Sequence, residues 1–184
     1  MNDDQQYSDL PMISFSGKTH LITSDKELAA VADEMQAVKE FGFDTETRPS
    51  FRKGEVYQVA LLQLSTQDTA YLIRLNKVNQ YQTLKTIFEN EEILKVGVAI
   101  RDDIKQLQKR FGFEPRNFIE LQDIAKKKGL ENFGLKGMTE EVLQARLSKA
   151  AKITNWEAFE LTDAQIKYAA TDAWVGLQLF KKIT

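Results

Sequence analysis

The chain has 184 residues, 42% hydrophobic and 28% charged, with nine glycines, three prolines and no cysteine. That suits one domain with its own core, and it excludes collagen-like, disulfide-stapled and disordered classes as well as thiolate metal centres and a catalytic thiol. Twenty-five basic against 27 acidic residues leave a net charge of −2, so no broad grip on nucleic acid is expected, only a local basic rim.

The start, MNDDQQYSDL, is acidic and polar rather than basic and then apolar, and the longest apolar run, VALLQL at 59–64, is strand-sized. A cytoplasmic protein without a secretory leader or membrane span is expected. Residues 1–10 read as a loose lead-in to a single domain over 11–184. THLIT at 19–23 reads as a strand. Ser24 and Glu27 form an S-x-x-E capping box that opens a helix through Glu40. Strands are expected at 41–46, 57–65 and 70–75, the last two split by the polar turn Thr66-Gln67-Asp68. A helix follows at 80–90, then a buried strand at 94–99, then a helix starting at Asp102 or Asp103. From 118 to 156 the pattern reads as short helices broken at Gly129, Gly134 and Gly137. Thr162 and Gln165 form a second capping box, opening a final helix to about residue 182. Strands first and helices later indicate an α/β or α+β domain, with a mixed sheet covered by helices.

Acidic residues stand out in three places. In FGFDTE at 41–46, alternation sends Phe41 and Phe43 to one strand face and Asp44 and Glu46 to the other. Two carboxylates on one face repel unless a cation sits between them, and hard oxygen donors at that spacing suit Mg²⁺ or Mn²⁺. Asp102 and Asp103 lie where an apolar strand runs into a helix, a position that also fits ordinary helix capping. Tyr168 and Asp172, four apart, share a helix face amid Ala169, Ala170 and Ala173, which leave room for another element to approach. Each taken alone also fits a solvated strand face, a cap or a simple hydrogen bond.

Together and in this order the three stretches resemble the motifs of the DEDDy 3′→5′ exonucleases. The similarity extends to LPMISFSG at 10–17, VALLQL at 59–64 and KVGV at 95–98, which look like Werner-type exonuclease domains. The stretch from GLKG at 134–137 through KITNW at 152–156 to LTDAQIKY at 161–168 is similar to both those domains and ribonuclease D. The resemblance implies the ribonuclease-H-like exonuclease fold, a mixed five- to six-stranded sheet flanked by helices. It implies Asp44, Glu46, Asp103, Tyr168 and Asp172 as catalytic residues, with the four acids holding two divalent ions, Mg²⁺ or Mn²⁺. In the family that the chain resembles, a helix with apolar residues from the next position on follows the second-motif Asp. Asp103, with Ile104 and Leu107 after it, fits that pattern, so the resemblance implies Asp103 rather than Asp102.

The implied reaction is hydrolysis from the 3′ end of DNA, releasing 5′-mononucleotides; a ribonuclease D-like exoribonuclease or a non-catalytic end-binding module are the alternatives. Strand contacts are expected from Thr45, Thr47, Arg48, Phe51 and Arg52, with Lys53 beside them, and secondarily from Arg146, Lys149 and Lys152. Trp156 is expected to be structural. His20, the only histidine, sits in an early strand where general-base chemistry is not expected. A separate helicase is the expected partner protein.

Overall fold

The computed structural model describes Tyr7 and residues 9–184. Of the expected lead-in, residues 1–6 and 8 lie outside the described residues. Pro11 and Ile13 are tied to Arg146: its N–H donates to the Pro11 carbonyl at 2.8 Å, and its own carbonyl accepts from Ile13 N–H at 2.9 Å. Arg146 Nε donates to the Leu10 carbonyl at 2.8 Å.

Among the described residues six strands form one mixed sheet: β1 (Lys18–Ile22), β2 (Glu40–Thr47), β3 (Val59–Ser65), β4 (Thr69–Arg74), β5 (Leu94–Gly97) and β6 (Phe118–Glu120), in the spatial order β1-β4-β3-β2-β5-β6. β2 and β3 are antiparallel, as are β3 and β4; the pairs β1–β4, β2–β5 and β5–β6 are parallel. The helices are α1 (Asp25–Gln36), α2 (Gln82–Glu89), α3 (Arg101–Arg110), α4 (Leu121–Lys127), α5 (Leu135–Met138, running into a π turn at Thr139–Leu143) and α6 (Asp163–Ile183).

The five anticipated strands are present, and the sixth, β6, is new: its three residues fall within the region read as short helices. The first helix stops at Gln36 and the chain turns over 37–39 into β2. Only half of its capping box forms. Ser24 Oγ accepts from Glu27 N–H at 3.1 Å, while the Glu27 carboxylate takes the Thr23 hydroxyl at 2.9 Å. At α6 the box is complete, with Thr162 and Gln165 bonded reciprocally. β5 ends two residues early because Ala99 adopts a left-handed φ of 56°.

The sheet buries both faces. On one, Phe41, Phe43, Leu62, Leu64 and Ile73 pack with Leu28, Met35, Leu84, Phe88 and Leu107 from α1, α2 and α3. On the other, Leu61, Leu72 and Val96 meet α6 through Ala169, Ala170, Val175 and Leu177. The alternation of β2 is therefore realised as expected, except that the polar side lies beneath a helix rather than in open solvent. Gly42 permits this, because a Cβ there would run into the Ala173 carbonyl oxygen of α6.

Candidate active site

The close crossing of α6 over Gly42 brings Asp172 above the strand that carries Asp44 and Glu46. These three side chains offer carboxylate oxygens that all lie within 4.8 Å of one another. Asp44 and Glu46 are half-buried and Asp172 is buried. Burial and then the Asp172 charge hold the Asp44 carboxyl well above the usual carboxylate range, against the Thr45 N–H that donates to its Oδ1 at 2.8 Å. Burial, followed by the Asp44, Asp172 and Asp103 charges, pushes Glu46 up to about 10, with a hydrogen bond from the fully buried Gln63 opposing the shift. Burial lifts Asp172 to about 7, opposed by hydrogen bonding from Tyr168 and by the Lys152 charge. Such a set is repulsive when ionised and needs positive charge to settle it, which is the condition a divalent cation meets with carboxylate oxygens. The residues present therefore fit a divalent metal.

Tyr168 sits one turn before Asp172 on α6 and hydrogen-bonds its carboxylate. Burial and the three acids push the phenol above its ordinary value, so it remains a donor at neutral pH. Fully buried Trp156 supports it from behind, with ring centroids 6.0 Å apart.

The structure separates Asp102 from Asp103. Asp102 is exposed; Asp103 is half-buried, and its Oδ1 accepts the Thr45 hydroxyl at 2.6 Å. Burial raises the Asp103 carboxyl above its ordinary value. Asp103 is not a member of the 4.8 Å triplet but contributes to the field at both Asp44 and Glu46. Neither aspartate caps α3 through its side chain.

Asp44, Glu46 and Asp172 open into a cleft of ≈ 500 Å³ whose other walls include Gly134, Leu135, Lys136, Ser148, Lys149 and Lys152. Lys136 belongs to the GLKG stretch but has no site role on sequence grounds; it lines the cleft together with residues 147–149 and 152. Of the expected strand-binding residues, Thr45, Lys149 and Lys152 line the cleft; Arg146 does not, and Thr47, Arg48, Phe51, Arg52 and Lys53 stand outside that lining at or beyond the end of β2. Arg48 lies over the Tyr57 ring at 4.7 Å and 4.0 Å from Glu157, whereas the Phe51 side chain is 82% exposed.

A family model described as 3′-5′ exonuclease matches residues 19–184, a span that takes in the whole acidic cluster. The chain belongs to the 3′-5′ exonuclease family. Among curated relatives in that family, it is 36% identical over 148 residues to the mouse bifunctional 3′-5′ exonuclease/ATP-dependent helicase WRN, covering 77% of this chain and 11% of the relative. It is 30% identical over 166 residues to Escherichia coli ribonuclease D, covering 89% of this chain and 43% of that one. The crystal structure of that ribonuclease D, described as an exoribonuclease involved in structured RNA processing, superposes with a TM-score of 0.82 at 29% identity, over 90% of this chain and 44% of the other. The exonuclease domain of Aedes aegypti Nibbler gives a TM-score of 0.84 at 24% identity, over 94% and 90% of the two chains, and supports the fold alone. The chain thus spans about half or less of these curated relatives' length. No described helix is long and apolar enough to cross a membrane.

Proposed function

We propose that this member of the 3′-5′ exonuclease family hydrolyses phosphodiester bonds from the 3′ end of DNA, releasing 5′-mononucleotides with the help of two divalent ions. The observation that carries the reading is the convergence of Asp44, Glu46 and Asp172 within 4.8 Å, with Tyr168 bonded to Asp172. Asp44 would be shared between the two ion sites, Glu46 and Asp172 completing one and Asp103 serving the other. Two ions held there, Mg²⁺ or Mn²⁺, would supply the positive charge that lowers the pKa of water and offsets charge on the departing 3′-oxygen.

The chain's own groups do the rest. Water adds to phosphorus, the bond to the 3′-oxygen of the preceding nucleotide breaks, and that oxygen leaves with a proton as a 3′-hydroxyl. Tyr168 gives its one O–H to Asp172 and holds the attacking water in line by accepting from it; a phenol kept protonated does not serve as the base. Thr45 fixes one oxygen of Asp103. Lys136, Lys149 and Lys152 line the wall of the cleft, where they would take the strand's phosphates, and the exposed Phe51 offers a face on which a base can stack. A helicase on another polypeptide is the partner this reading favours, given the fusion named in the WRN relative.

The preference for DNA rests on the similarity to Werner-type exonuclease domains at 10–17, 59–64 and 95–98; the identities themselves, 36% to the WRN relative and 30% to ribonuclease D, do not choose the sugar. The competing exoribonuclease reading draws on the ribonuclease D superposition across 90% of the chain. A time course on 5′-labelled DNA and RNA, single-stranded and 3′-recessed, with Mg²⁺ or Mn²⁺, tests both. A DNA ladder shortening from the 3′ end, absent in Asp44→Ala, is expected. Faster decay of RNA transfers the assignment to the ribonuclease D-like class, and bound but intact ends overturn the enzymatic reading.

A further inference from the structure

The turn that delivers Asp103 is built by a residue from another strand. β5 and β6 run parallel with Gly97 opposite Glu120, and a Cβ on Gly97 would run into the Phe43 carbonyl, so the end of β5 lies tight against β2. Just beyond, Ala99 takes its left-handed φ of 56°, and Ile100 caps α3 without any side-chain bond of its own. The backbone N–H groups at this corner have no helical carbonyl to reach. Glu120 satisfies them from across the sheet. Its Oε1 accepts from Ala99 N–H at 2.7 Å, its Oε2 accepts from Ile100 N–H at 2.8 Å, and Oε1 also takes Gln122 N–H at 3.1 Å. Arg101 and Asp123 approach to 3.6 Å across the same junction.

Both carboxylate oxygens are therefore committed to backbone donors, and charge-assisted bonds to N–H groups are stronger and more directional than neutral ones. The first helical bond of α3, Ile104 N–H to the Ile100 carbonyl at 3.0 Å, begins at the residue Glu120 holds. Fixing 99–100 thus fixes the rotation of the first turn of α3, and with it the direction in which Asp103 leaves the helix toward Thr45.

We propose that Glu120 is the positioning residue for Asp103: a carboxylate that binds no ion itself and sets the angle at which the second-motif acid meets its ion. This rests on the metal-dependent exonuclease reading above. Groups that orient a metal-binding carboxylate typically contribute about 10–100-fold to affinity or rate.

Glu120→Gln keeps the shape but turns an NH₂ toward at least one of the three N–H donors. Titrated with Mn²⁺ alone in a calorimeter, this variant is expected to bind one equivalent about tenfold more weakly than the native chain. On a DNA strand its kcat is expected to fall about tenfold with KM unchanged, and adding Glu120→Gln to Asp103→Asn is expected to cost nothing further. Glu120→Asp, which keeps both acceptors but withdraws them by one methylene, is read the same way if the amide variant folds poorly. A lowered melting temperature with native Mn²⁺ affinity, or losses that add fully in the double variant, overturns the proposal and leaves Glu120 a structural cap. The Mn²⁺ titration requires no turnover, so a native chain that cleaves no strand would count against the exonuclease reading alone.

Discussion

Replacing Asp44 with Asn removes one charge from a cluster whose members raise one another's proton affinity, while keeping the acceptor for the Thr45 N–H. In a chelator the variant is expected to melt a few degrees higher than the native chain by calorimetry, because like-charge repulsion is relieved. Its strand-shortening rate in Mg²⁺ is expected to fall on the order of 10³-fold. A variant that lost activity and also melted lower would show that Asp44 is held by favourable contacts rather than tolerated at a cost. Tyr168→Phe separates positioning from proton transfer. Without the phenol, Asp172 loses a hydrogen-bond donor and the attacking water loses its guide, so kcat is expected to drop about a hundredfold with little change in KM. Because the phenol stays protonated, any rise of kcat with pH between 6 and 9 is expected to persist in the Phe variant, with its midpoint moved upward as Asp172 loses the bond that holds it down. Loss in the Phe variant of an acidic limb, a rise of kcat with pH that the native chain shows, would instead make Tyr168 a general base.

At the scale of elements, the site depends on how closely α6 crosses β2. Gly42→Ala places a methyl group against the Ala173 carbonyl, and backbone cannot rotate away as a side-chain end can. Lifting the helix is expected to cost about 1–3 kcal/mol of stability, as overpacking does, measured by urea unfolding. Nuclease activity is expected to fall by a larger factor than the loss of folded protein explains, since Asp172 is displaced from Asp44 and Glu46. The same scale shows what the sequence made legible. Strand alternation at 41–46 and the four-residue spacing of Tyr168 and Asp172 placed four side chains correctly, because both rules depend on local periodicity alone. The choice of Asp103 comes from the family pattern that the resemblance implies rather than from periodicity, and the structure sets Asp103, not the exposed Asp102, beside Thr45. β6 escaped notice because three residues are too few to show alternation, and Glu120 went with it, since its partners at 99 and 100 are local only in space. Lys136 lay hidden for a similar reason: it reaches the cleft through an irregular stretch whose path no periodicity encodes.

For the molecule as a whole, the acidic cluster couples folding to pH and to metal in opposite senses. Glu46, ordinarily near 4.5, is lifted to about 10, and Asp172, ordinarily near 3.8, to about 7. A raised folded value means the folded chain holds protons that the unfolded chain has released. The stability these groups contribute is then fully present below about pH 4 and drains away as pH rises through 7 and on toward 10. Buried Lys95 is depressed to about 8, so its own slope, of opposite sign, begins only above that pH. Between pH 5 and 7.5 the carboxylates therefore dominate, and the metal-free chain is expected to lose on the order of 5 °C in melting temperature across that window. A divalent ion binds the ionised acids of the folded chain and competes with their protons, so its effect has to grow as pH rises. At a concentration of about 100 times its dissociation constant it contributes about 2.7 kcal/mol, or about 5–10 °C for a chain of this size. Melting curves with and without Mn²⁺ are thus expected to diverge steadily from pH 5 to 7.5 and to coincide again in Asp44→Asn. A metal effect equal at every pH would place the ion elsewhere on the molecule, since only a site built from these acids exchanges protons for metal over that range.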